Sequence, residues 1–173
     1  MFCVSFSSGV ILTLIPDLSK TVGVHNKGLF FTVYTVASLV IRVVASKSSD
    51  IYGRVSVMIV STVILAVGMS ILGFTQSAFG FWTAAVLFGF SWGLNTPTLT
   101  AWAIDLSHPD YRGRALATMY IALEAGIGVG AWWSGWWYGG KIANIPFAFY
   151  VSAVLAVASL GYLIWWKRAK EVL

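Results

Sequence analysis

The chain has 173 residues and a formal charge of +5, but 58% of its residues are hydrophobic and only 10% are charged. A soluble domain carries about 25% charged residues, and one of this length keeps too much surface to hide so many apolar side chains. A soluble globular protein is therefore excluded, and lipid is the solvent that fits.

The single cysteine, Cys3, excludes an internal disulfide framework and cannot make a metal site alone. The basic residues do not gather on one amphipathic helix, so the positive charge is not read as a nucleic-acid surface. The N-terminal apolar run lacks a basic leader and is a poor signal peptide, so it is kept as part of the fold.

Six apolar segments follow one another, at 2–18, 28–46, 55–74, 79–104, 115–138 and 145–166. They are too long for strands and show no alternation of period two, which excludes a barrel. Internal hydrogen bonding then leaves helices as the spanning structure. The expected fold class is an all-α membrane protein with six transmembrane helices, in a single bundle over 1–173. The order of segments would allow a threefold pattern of helix pairs, but the sequence symmetry is too weak to establish a repeat.

The first segment is short for a span of about 20 residues and carries Pro16 near its end. The second contains Thr35 and ends near Arg42 and Lys47, whose long side chains can reach phosphate headgroups. Between the second and third lies "SKSSDIYGRV", an acid, a glycine and a base between two apolar runs. The fourth contains "LNTPTLT", in which Pro97 removes a backbone donor and predicts a kink near Leu94. Asn95 and Thr98 beside it are candidates to line a cavity.

The fifth segment holds Glu124, flanked by apolar residues. A carboxylate in a membrane helix has to face protein, water or a cation, or take up a proton, which makes it a candidate for proton coupling or for internal packing. Gly126, Gly130 and Ser134 repeat every four residues on the same helix, and Gly89 with Gly93 does so on the fourth, leaving shallow faces for close packing. Trp132, Trp133, Trp136, Trp137, Trp165 and Trp166 suit aromatic belts at the ends of the last two spans.

Orientation follows from the bases. Arg42, Lys47, Arg54, Arg112, Arg114, Lys167, Arg168 and Lys170 fall on one side, and Lys20, Lys27 and Lys141 on the other. The first side is expected to be cytoplasmic, with both termini on it. The location expected is a plasma membrane or bacterial inner membrane, with the lipid bilayer as a partner and no nucleic acid.

His25 and His108 lack companions at metal-ligand spacing, and no phosphate loop, nucleotide fingerprint or nucleophile–His–acid arrangement is present. Neither an enzyme nor a cofactor is expected.

At "SKSSDIYGRV" the chain resembles the cytoplasmic signature loop of the major facilitator superfamily, approximately Gly-x-Leu-Ala/Ser-Asp-Arg-x-Gly-Arg-Arg/Lys. Ser49, Asp50, Gly53 and Arg54 match it, whereas Ser46, Ser48, Ile51 and Val55 depart from it. "GLFFTVYTVASLVIR" and "DYRGRALATMYIALEAGIGVGAWWSG" are similar to the eighth and eleventh helices of the same twelve-helix family.

The resemblance implies the C-terminal six-helix half of a transporter, with truncation as the preferred account of the short first helix. It implies secondary transport of a small solute, coupled to a proton or another ion, against a missing or separate N-terminal half or a second copy in a homodimer. Asp50, Gly53 and Arg54 would form a cytoplasmic gate, with Arg112 and Arg114 as charge-network partners. Thr35, Asn95, Thr98 and Glu124 would line the cavity. The alternatives are a non-transporting membrane interaction protein, including a defective transporter fragment, and, less favoured, a six-helix channel.

Overall fold

The computed structural model describes residues 1–171. Six long helices and one short one account for most of them: α1 (Phe2–Thr21), α2 (Gly28–Val44), α3 (Ser48–Ile51), α4 (Arg54–Phe74), α5 (Ala78–Asp105), α6 (Arg112–Tyr138) and α7 (Ile145–Glu171). Single 3-10 turns at Pro109–Tyr111 and Ile142–Asn144 lead into α6 and α7.

The ends of these helices depart from the apolar runs for local reasons. α1 continues past Pro16 to Thr21, where Lys20 pairs with Asp17 at 2.6 Å one turn back. α5 begins where the Ser77 hydroxyl accepts from the Gly80 N–H, satisfying a donor that the helix cannot. α6 ends at Gly139, which takes the left-handed conformation at φ 50°. α5 is one uninterrupted element through Pro97. The missing N–H at Pro97 leaves the Gly93 carbonyl without its helical donor.

Among the described residues, four helices are long and apolar enough to cross a membrane by length and composition: α1, α4, α6 with its leading turn, and α7 with its leading turn. α2 is apolar but only 17 residues long. α5 has the length, and its apolar run is diluted by glycine, tryptophan and the polar Asn95–Thr98 segment.

α1 packs chiefly on α6, α2 on α5, and α4 on both α5 and α7, with α7 also against α1. Exchanging α1 with α5, α2 with α6 and α4 with α7 reproduces this pattern. The bundle therefore reads as two related three-helix units rather than the threefold pattern of helix pairs; such internal repeats are common among transporter folds.

Glycine sets the two matching seams. A methyl at Gly130 or Gly126 would run into the α1 backbone at Phe6 or Phe2, and one at Gly89 or Gly93 into α2 near Tyr34 and Ser38. Only a residue without a side chain lets the backbones approach so closely. The apolar core lies between α1, α4, α5 and α7, around Val10, Leu14, Leu65, Met69, Phe81 and Phe149. α2 and α6 flank it with large open faces, and Val43 and Val44 are 78% and 76% exposed.

Candidate functional site at the α3–α4 turn

Gly53 makes the site. Its φ of 84° and ψ of 145° turn the chain sharply out of α3 and into α4, a conformation that side-chain-bearing residues rarely adopt. The turn places Asp50 and Ser49 beside Arg54, the first residue of α4. Arg54 donates from Nη1 to the Ser49 hydroxyl at 2.7 Å and ion-pairs through the same nitrogen with Asp50. Its Nε donates to Asp105 Oδ2 at 3.0 Å.

Asp105 is the last residue of α5, so one guanidinium joins the loop, the start of one helix and the end of its neighbour. A cation is also favoured at a helix C-terminus, where carbonyls point outward unpaired. The network has one base between two acids, and Arg54 is the less exposed partner in both pairs.

Beside the network lies a cavity of about 420 Å³, lined by Arg42, Ser46, Asp50, Arg54, Gly93 and Thr98 among others. Thr98 is buried, at 3% exposure. Arg42 has no acidic partner among the described residues.

Arg112 and Arg114 do not enter the network. Among the described residues neither forms an ion pair, and the Arg114 guanidinium sits 5.1 Å from the centre of the Tyr111 ring, a cation–π contact. The reason is the packing order. α5 lies along α4 and ends beside Arg54, whereas α6 packs chiefly on α1. Asp105 takes the position that the sequence reading gave to those arginines. Its signal was an acid closing a long apolar helix.

The four cavity candidates occupy different places. Thr98 lines the Arg42 cavity. Thr35 is exposed on α2 beside a shallow depression formed with Phe31, Thr32 and Val36. Asn95 is buried and donates from Nδ2 to the Ser61 hydroxyl at 3.1 Å, joining α5 to α4. Glu124 is exposed on α6 and has no hydrogen-bond or ion-pair partner among the described residues.

The tryptophans divide as well. Trp132 and Trp136 are exposed, while Trp133 and Trp137 stack at 6.3 Å and Trp137 meets Phe147 at 4.6 Å. Among the described residues no group of histidine, cysteine or carboxylate side chains could hold a metal ion.

Comparison with known proteins identifies the family. The family model described as Major Facilitator Superfamily matches residues 1–172. The chain is similar to Multidrug resistance protein 2 of Bacillus subtilis (strain 168), with 23% identity over 176 residues. That alignment covers 99% of this chain but 43% of the relative, so the chain spans less than half the length of that curated protein. With apolar helices suited to lipid and a family match over nearly its whole length, the chain is a membrane protein of the Major Facilitator Superfamily, a family of transporters that carry out no covalent catalysis.

Proposed function

We propose that this chain acts as one six-span half of a secondary transporter for a small solute, with α2 and α5 completing the set of spans. A second six-helix half, either a separate N-terminal half or a second copy, supplies the facing wall of the route. The coupling ion is a proton or another small ion, and Glu124 is the group proposed to carry the proton. Both termini and the α3–α4 turn lie on the cytoplasmic side of a plasma or bacterial inner membrane. The relative's printed name, a multidrug resistance protein, favours efflux over uptake.

The observation that carries the reading is Arg54 bridging Asp50 and Asp105 at the loop resembling the family's signature. A latch of this kind holds two helix ends together in one state and releases them in another. Its partners are exposed enough to exchange for water or for a second half. Alternating access needs a bistable contact rather than reactive chemistry.

The test is reconstitution of the chain in liposomes, with and without a six-helix N-terminal half, followed by flux of a solute panel under an imposed proton gradient. Gradient-dependent flux with the N-terminal half, or from the chain alone as a dimer, supports the reading. Absence of flux under both conditions sinks it and leaves a membrane protein that inserts and packs without transporting.

A further inference from the structure

A second cavity, about 80 Å³ in volume, lies between α4, α5, α7 and the start of α1, lined by Met1, Met58, Thr62, Asn95, Ser159 and Tyr162 among others. Its walls hold polar groups that lack a hydrogen-bond partner. The Thr62 side chain is fully buried, and its hydroxyl has no hydrogen-bond partner.

A helical threonine can turn its hydroxyl to the carbonyl three or four residues back, but that of Thr62 donates neither to Ile59 nor to Met58. The Met58 carbonyl already receives the helical N–H of Thr62 itself, and the Ser61 hydroxyl donates to it at 3.0 Å. Both of its lone pairs are engaged. Ser61 in turn accepts from Asn95 Nδ2 at 3.1 Å. The Asn95 side-chain carbonyl receives no donor among the described residues, although Asn95 is only 3% exposed. Ser159, on the α7 wall, also makes no side-chain hydrogen bond among the described residues.

We propose that this cavity is a hydration site, in which ordered water hydrogen-bonds to the Thr62 hydroxyl and the Asn95 carbonyl and reaches Ser159. One probe sphere, roughly 10–15 Å³, suffices for a water, and a buried water needs about two to four polar partners. The cavity meets both conditions. An apolar void of this size would stay dry, but this one holds an unpaired hydroxyl and an unpaired carbonyl.

The water links α4, α5 and α7 together, beside the direct Asn95–Ser61 hydrogen bond that already joins α5 to α4. Hydrogen bonds through water can be remade after a small helix displacement, which interlocked apolar side chains do not permit. The site is distinct from the Arg54 network and does not depend on the transport reading.

Radiolytic hydroxyl-radical labelling of the whole chain in lipid nanodiscs, read by mass spectrometry, tests the proposal. Radicals form from water in place, so a buried methionine beside bound water is oxidised while an equally buried dry one is not. Met58 lines the cavity at 1% exposure, and Met69 lies in the apolar core at 0%. Met58 is expected to label several-fold more than Met69. Thr62→Val, which removes the hydroxyl at nearly constant volume, is expected to lower Met58 labelling and leave Met69 unchanged. Ser159→Ala, at a less buried position, is a second variant with the same expected direction. Equal labelling of the two methionines in the unaltered chain, low or high, overturns the proposal.

Discussion

Arg54 Nε and Asp105 Oδ2 lie 3.0 Å apart, although 51 positions separate the two residues in sequence. The first residue of α4 and the last of α5 thus meet at one end of the bundle, and Asp50 approaches the same guanidinium from the loop. Surface ion pairs of this exposure couple by roughly 0.2–1 kcal/mol. A double-mutant cycle on Arg54→Gln and Asp105→Asn, read by chemical unfolding in detergent, is expected to fall in that range. The coupling should shrink toward zero near ~1 M salt, where the screening length is about 3 Å. A coupling that does not respond to salt would contradict a partly solvated latch.

Gly53→Ala separates backbone strain from steric collision. Nothing lies within 4 Å of a Cβ built at Gly53, so the expected loss of about 1–3 kcal/mol comes from the positive φ alone. Gly113→Ala, also in open space but on the first turn of α6, is the control. It should be neutral or stabilise by up to about 1 kcal/mol, because alanine favours helix. Thermal unfolding of both variants in one detergent makes the comparison.

On α6, Gly130 and Gly128 are two residues apart and have opposite surroundings. A methyl at Gly130 meets the Phe6 carbonyl oxygen, whereas one at Gly128 meets nothing within 4 Å. Gly130→Ala should destabilise the chain by about 1–3 kcal/mol, as overpacking does. Gly128→Ala should be tolerated. Equal effects on unfolding would mean that the α1–α6 seam is not held by close backbone approach.

Glu124 makes no polar contact among the described residues and is exposed on its helix. Glu124→Gln should therefore leave thermal stability within about 0.5 kcal/mol, as surface substitutions do. Under the proposed coupling role it abolishes the pH dependence of solute flux in the assembly with a second half. Flux that keeps its pH dependence in the variant removes Glu124 from that role.

Much of the local structure was legible in the residues. The four-residue spacing of Gly126 with Gly130 and of Gly89 with Gly93 identified the faces along which backbones meet. Such features depend on neighbours a few positions away, where the chain has little freedom. The apolar extent of the segments likewise followed from the solvent they must satisfy.

Partnership across the bundle was another matter. Charge sign makes an acid the partner of Arg54, but nothing local singled out Asp105, 51 positions away, and Arg112 and Arg114 lay just as near a helix end without entering the network. Asn95, read as a cavity residue because it is polar near a proline, does line the smaller cavity, but its amide nitrogen is engaged with Ser61 on α4, which no local spacing foretold.

Composition and the length of the apolar runs determined by themselves that this is a helical membrane protein, with the polar stretch at 46–55 set between two spans. Only tertiary packing decided that α5 rather than α6 ends beside Arg54, that Thr62 borders a cavity, and that Glu124 is exposed on α6. Those outcomes depend on which helices lie side by side and how each is rotated. Contacts between residues dozens of positions apart set both, and short-range spacing encodes neither.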